Sequence, residues 1–123
     1  MTLVDSSVWI EHIRVPNEIL AALIERGDVI THPFVIGEIA LGSIGSRTAV
    51  LAALEKLPGV PVARHIDVMR LIESRQLFGR GVGYVDAHLL ASARLTPTTR
   101  LWTRDRRLQA AAADLGVAAR FTH

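Results

Sequence analysis

The chain has 123 residues, half of them hydrophobic, with a mean hydropathy of +0.30 and a formal net charge of +2. That is ample apolar material for a single packed domain over 1–123 and too much for a disordered chain. The absence of cysteine excludes a disulfide framework and a thiolate metal site, and no apolar run reaches the ~18–20 residues that span a bilayer.

No basic region precedes the first apolar stretch, so the N-terminus reads as a core strand rather than a signal peptide, and a cytoplasmic protein is expected. Of the fourteen basic residues, Lys56 is the only lysine. Arginine's planar fork grips phosphate in a bidentate way. A net charge of +2 does not by itself assert nucleic-acid binding.

Thr2-Leu3-Val4 is short and apolar, as expected of a buried strand. Asp5-Ser6-Ser7 follows and caps a predicted helix carrying Val8, Trp9, Ile10 and Ile13. Pro16-Asn17 opens a second helix with Ile19, Leu20, Leu23 and Ile24 on one face, closed by Gly27. Val29-Ile30-Thr31 reads as the second strand. Pro33 starts a helix through Val35, Ile36, Ile39 and Ala40 that ends near Gly42.

Ser46 to Leu57 has helical spacing and stops at Pro58-Gly59. Val60 to Ala63 is a short strand candidate weakened by Pro61. His65 to Gln76 is a helix, and Phe78 to Gly83 a flexible glycine-rich loop. Tyr84 to Arg94 is apolar nearly all round, which marks a central helix. Leu101-Trp102-Thr103 is a strand, Arg104 to Ala113 a helix and Val117 to Phe121 a last strand. Strands alternating with helices predict an α/β fold, three layers deep (α/β/α), around a central parallel sheet.

Four carboxylates stand beside these elements: Asp5, Glu38, Asp86 and Asp105. A charged carboxylate next to buried structure is costly unless it is paired, hydrogen-bonded or bound to a metal. In open parallel sheets ligands bind beyond the carboxyl ends of the strands, where Asp5 and Asp105 fall. Oxygen ligands without His or Cys suit Mg²⁺ or Mn²⁺. Each acid also has a plainer reading. Asp5 and Asp105 can cap helices, Glu38 can be solvated, and Asp86 can sit on a helix dipole.

Arg80, Arg104, Arg106 and Arg107 lie near these acids in sequence and are candidate contacts for the phosphates of a nucleic-acid backbone, or else solvated surface charge. His88 reads as structural or surface, and His12, His32, His65 and His123 lack ligand spacing. Gly79, Gly81 and Gly83 lack the lysine of a phosphate-binding loop.

Leu3-Val4-Asp5-Ser6-Ser7-Val8-Trp9-Ile10 resembles the opening of PIN-domain proteins, in which an Asp ending the first strand is followed by Ser or Thr. Glu38-Ile39-Ala40-Leu41-Gly42 resembles their second motif, Gly83 to Ala91 the third, and Leu101-Trp102-Thr103-Arg104-Asp105 the fourth. The order and short length resemble the VapC toxins of VapBC toxin–antitoxin pairs.

The resemblance implies a Mg²⁺- or Mn²⁺-dependent endoribonuclease acting on RNA. Asp5, Glu38, Asp86 and Asp105 would form the acidic metal pocket, with Asp5 and Asp86 the main ligands, Glu38 binding metal or orienting the attacking water, and Asp105 binding metal directly or through water. Ser6 and Thr103 would support them by hydrogen bonds. It also implies a homodimer silenced by a VapB-like antitoxin. Trp9, Ile10, Ile13, Ile19, Leu20 and Leu23 would form the apolar side of the antitoxin groove, unless they are simply core.

Two other readings remain. A receiver- or dehalogenase-like phosphotransfer domain wants a second acid beside Asp5 or a lysine after a late strand, whereas Ser6 and Ser7 follow Asp5 and Lys56 sits mid-chain. A catalytically silent PIN-like module would bind RNA or protein without cutting.

Overall fold

β1 (Thr2–Val4) is the middle strand of a parallel sheet of order β2-β1-β3, with β2 at Val29–Ile30 and β3 at Arg100–Trp102. The computed structural model describes residues 1–121. Thr2 and Leu3 stand opposite Val29 and Ile30 on one side, and Thr2 to Val4 opposite Arg100 to Trp102 on the other. Every residue of β1 and β2 is buried. Successive side chains of a strand point to opposite faces, so this burial requires helices on both sides of the sheet. The expected three-layer α/β/α arrangement is what forms.

Seven helices supply the cover among the described residues: α1 (Ser6–Arg14), α2 (Glu18–Glu25), α3 (Pro33–Ala40), α4 (Arg47–Glu55), α5 (His65–Ser74), α6 (Tyr84–Leu95) and α7 (Arg106–Asp114). Their starts follow local chemistry. Asn17 accepts the Leu20 N–H at 3.0 Å and caps α2. His32 Nδ1 accepts the Phe34 N–H at 3.0 Å while Pro33 opens the first turn of α3. The helix read as central is so: α6 is buried without interruption from Ala87 to Ala93 and packs on both α5 and β3. The core runs from Leu3 and Val4 through Leu20, Val35, Ile39, Leu89 and Leu90 to Leu101 and Leu108.

Two expected strands do not form. Val60–Ala63 contributes no strand, and its segment makes one bridge, Thr31 to Gly59. Pro61 has no N–H to give a ladder, and the Ala63 N–H bonds instead to the buried Ser92 hydroxyl of α6 at 3.2 Å. Val117–Phe121 likewise makes only the bridge from Leu101 to Ala118. Here the limit is the length of β3. Arg100 and Trp102 bond back toward β1, through Met1 and Asp5, so Leu101 alone faces outward, bonding Val117 and Ala119. Thr31 also lies just outside β2, and Thr103 just outside β3.

The histidines divide. His88 is structural: it is buried, and its Nε2 meets the Tyr84 hydroxyl at 2.9 Å. His32 is fully buried beside it, the two rings 6.3 Å apart. His123 lies outside the described residues. Burial, helped by the neighbouring His88, pulls the His32 pKa down from its ordinary 6.5 to about 4.

A depressed histidine means that the unfolded chain binds more protons in that window. The stabilisation from neutral His32 is therefore complete above pH 6.5 and is lost as the pH falls toward 4. The loss amounts to roughly 3 kcal/mol. Urea unfolding from pH 7 to pH 4 should show this decline. His32→Asn keeps an acceptor for the cap, so it should flatten the acid slope while lowering neutral-pH stability by about 1–3 kcal/mol for the smaller side chain.

Candidate active site

The carboxyl end of the sheet gathers side chains from three helix starts, from the last turn of α3 and from one strand end. Asp5 follows β1 and holds the position that caps α1, yet its side chain makes no capping bond. It is turned aside and buried, at 5% exposure. Its Oδ2 accepts from Ser7 Oγ at 2.7 Å and from Thr103 Oγ1 at 2.8 Å. Ser6 Oγ reaches Oδ1 only at 3.5 Å. The helix-cap alternative for this residue is thus set aside by geometry. A capping side chain would be spent on α1, and this one is not.

Ser6 serves another acid. Its hydroxyl donates to Glu38 Oε1 at 3.1 Å, joining the start of α1 to α3 across 32 positions of sequence. Burial raises the Glu38 pKa most, the Ser6 hydrogen bond offsets part of this, and the charges of Asp5 and Asp86 raise it further. Asp86, in the first turn of α6, accepts the Gly83 N–H at 3.1 Å. Its pKa is raised chiefly by burial, is eased by that backbone bond, and is raised again by Asp5 and Asp105. The acids therefore act on one another, although they enter from four separate elements.

Asp105 is a helix cap as well as a member of this group. Its Oδ1 accepts from the Arg107 N–H at 2.9 Å and from the Leu108 N–H at 3.2 Å. Thr103 joins it to Asp5, since Oγ1 accepts the Asp105 N–H at 3.1 Å while donating to Asp5. Ser7 was not singled out from sequence as a site residue. It donates to Asp5, accepts the Arg104 N–H at 3.1 Å and lies 3.5 Å from the Thr103 hydroxyl. The available signal was a hydroxyl two residues after an acid that a strand end delivers into the core.

None of the four acids has an Arg, Lys or His partner within 4.0 Å among the described residues. Two of the four arginines nearby in sequence are engaged elsewhere. Arg104 pairs with Glu11 at 3.0 Å rather than with Asp105, and Arg80 with Asp114 at 2.8 Å. Arg106 and Arg107 make no ion pair among the described residues. Among the described residues, then, the acids keep negative charge that hydrogen bonds steady but no ion pair offsets.

No three Asp, Glu or His side chains among the described residues converge tightly enough to enclose an ion unaided. The donors are hard oxygens on separate elements, two of them with raised pKa values. That set fits a hydrated Mg²⁺ or Mn²⁺, which takes one or two carboxylates and keeps its waters, better than a dehydrated caged ion.

The residues expected to form an antitoxin groove separate. Leu20 and Leu23 are buried core. Trp9 is buried to the same 5% exposure as Leu23, and with Ile13 it borders an apolar cleft of about 240 Å³ lined also by Ile24, Val50, Leu54 and Leu57. The indole Nε1 of Trp9 is buried there without a partner.

Residues 2–114 match the PIN domain. Over 118 residues, 96% of this chain and 95% of the relative, the sequence is 52% identical to Ribonuclease VapC32 of Mycobacterium tuberculosis strain CDC 1551 / Oshkosh. The identity and coverage are the same for Ribonuclease VapC32 of strain ATCC 25618 / H37Rv. No helix of the described residues is long and apolar enough to cross a membrane. The chain therefore belongs to the PIN-domain family, within its VapC branch.

Proposed function

We infer that the chain is a VapC-type endoribonuclease toxin that hydrolyses RNA phosphodiester bonds with Mg²⁺ or Mn²⁺. The observation that carries this reading is the set of four acids, without a cationic partner among the described residues, at the carboxyl end of a parallel sheet. When bound, the metal supplies Lewis acidity and lowers the pKa of a water at neutral pH.

Asp5 and Asp86 would hold it. Asp5 is fixed by Ser7 and Thr103, so little conformational freedom is lost on binding. Glu38, steered by Ser6, is placed to orient the attacking water and take its proton. Its raised pKa brings it nearer the value that suits a general base. Asp105 is committed to capping α7, so it acts through water. Ser6, Ser7 and Thr103 position the acids.

A VapB-like antitoxin fits the cleft of Trp9, Ile13, Ile24, Val50 and Leu54, where an apolar helix face would cover surface that is otherwise wet. A homodimer fits the exposed apolar side chains Phe34 and Tyr84, which both pack on the ring of His88 at the starts of α3 and α6. The reading is of a cytoplasmic protein.

Purified protein should cut cellular RNA into discrete fragments with Mg²⁺ or Mn²⁺ and leave it intact in EDTA. Glu38→Gln should lose roughly 10²-fold in rate. Asp5→Asn and Asp86→Asn should lose at least as much. Undiminished cleavage in EDTA would sink the metal mechanism. Intact RNA from a folded, antitoxin-free sample would favour the silent binding module.

Thermal melting gives a second measurement. A carboxyl with a raised pKa stabilises the fold only while protonated, and that contribution is lost as the pH rises past the folded value. Asparagine keeps an acceptor for Gly83 and carries no charge. In EDTA at neutral pH, Asp86→Asn should melt a few degrees above the parent, with the gap closing at acid pH. Mg²⁺ should raise the melting point of the parent and leave Asp86→Asn almost unmoved.

A further inference from the structure

Among the four arginines near the acids, one is set apart by what it rests on. The side chain of Arg107 crosses the backbone of Gly81 so closely that a β-carbon at residue 81 would lie 2.4 Å from its Cδ and its Nη1, and 3.0 Å from its Cζ. Gly81 also has φ +76°, a conformation that L side chains rarely adopt. The positive φ favours glycine here, and the close contacts show that the end of the Arg107 side chain lies over residue 81, where an added methyl would push it aside.

This seat on Gly81 is anchored at several points. Arg80, the residue before Gly81, is bonded to Asp114 at the far end of α7 at 2.8 Å. The backbone N–H of Arg107 is held by Asp105 Oδ1 at 2.9 Å. Two residues beyond Gly81, Gly83 bonds to Asp86. The loop and the start of α7 thus hold Arg107 two residues from the Asp105 cap, its side chain over a glycine two residues before the one that binds Asp86. Arg107 is exposed and has no acid partner among the described residues. Its rivals differ. Arg80 and Arg104 are neutralised by Asp114 and Glu11, and Arg106 has no comparable seat.

A pocket of unpaired carboxylates repels a polyanion, so a positive group at its rim is what RNA needs in order to approach. We propose that Arg107 contacts an RNA phosphate beside the acids, and that Gly81 is the positioning residue that aims it. The proposal rests on the ribonuclease reading above and adds the residue that orients the strand. A guanidinium laid across backbone loses less freedom on gripping a phosphate than one waving in solvent.

The test uses the full chain and a fluorescent, mixed-sequence single-stranded RNA, with binding measured by anisotropy in EDTA over a salt series. Metal-dependent cleavage of cellular RNA by the same preparations is assayed alongside. Arg107→Gln should bind roughly tenfold more weakly, with the slope of log K against log salt reduced by about 0.7, the loss of one phosphate contact on a single strand. Arg94→Gln removes the same charge more than two turns of α6 away from Asp86 and should keep the parent slope.

Gly81→Ala should lose the same slope as Arg107→Gln, and the double variant should be no worse than Arg107→Gln alone. A general folding defect at residue 81 would not produce that equality. If the parent binds and cuts RNA while Arg107→Gln keeps its slope, Arg107 is surface charge and the proposal falls by itself. If Gly81→Ala keeps the slope that Arg107→Gln loses, the positioning role falls. If the parent neither binds nor cuts RNA, the ribonuclease reading falls and takes this one with it.

Discussion

The structure depends on how a buried carboxylate without a cation is tolerated at Asp5. Burying such a charge costs several kcal/mol unless hydrogen bonds satisfy it. Here the compensation comes from hydroxyls rather than ammonium or guanidinium groups: Ser7 and Thr103 at short range, with Ser6 more distant. Hydroxyl donors can steady a carboxylate without cancelling its charge. The same bonds tie the end of β1 to the start of α1 and to the end of β3, so the compensation also fixes the fold's central junction. A salt bridge at this position would hold the junction as well, but it would leave no negative charge for a cation to meet.

That choice extends outward through Thr103 and Ser6. Thr103 relays from Asp5 to the Asp105 backbone, and Ser6 turns away from Asp5 toward Glu38. Each acid is held by a neutral donor, and the nearby cations Arg80 and Arg104 are drawn off to Asp114 and Glu11. The result is a charged region that rigid elements deliver and that no ion pair among the described residues quenches. The pKa values of Glu38 and Asp86 are raised first by burial and then by the neighbouring acids.

The sequence made the larger elements legible because their signals were strong. Leu3-Val4 and Val29-Ile30 read as buried strands, and the uninterrupted apolar character of Ala87 to Ala93 read as a central helix. The edges were less legible. Val60–Ala63 and Val117–Phe121 have strand composition, but pairing depends on which N–H groups a neighbour leaves free, and a three-residue β3 leaves one residue facing outward.

Within the site, the four acids stood out because charge beside apolar runs is conspicuous. Ser7 did not, since a serine after a strand reads equally well as a cap. The Gly81 seat was invisible for a different reason. Three alternating glycines suggest flexibility, and only the fold shows that Arg107, 26 positions later, lies over one of them.

The single-rung bridges at Gly59 and Ala118 have a consequence of their own. Each lies on the outer flank of the sheet, next to β2 and β3. An open parallel sheet ends in a row of unpaired amides that invites another strand to add itself. Here the flanking segments use up the amides of Thr31 and Leu101 and then turn away, one at Pro61 and the other after Ala119. They act as selvedges: too short to be strands, and long enough to stop the weave from growing. Four backbone groups, those of Pro58 and Val60 on one flank and of Val117 and Ala119 on the other, thereby occupy the places where an added strand would have to bond.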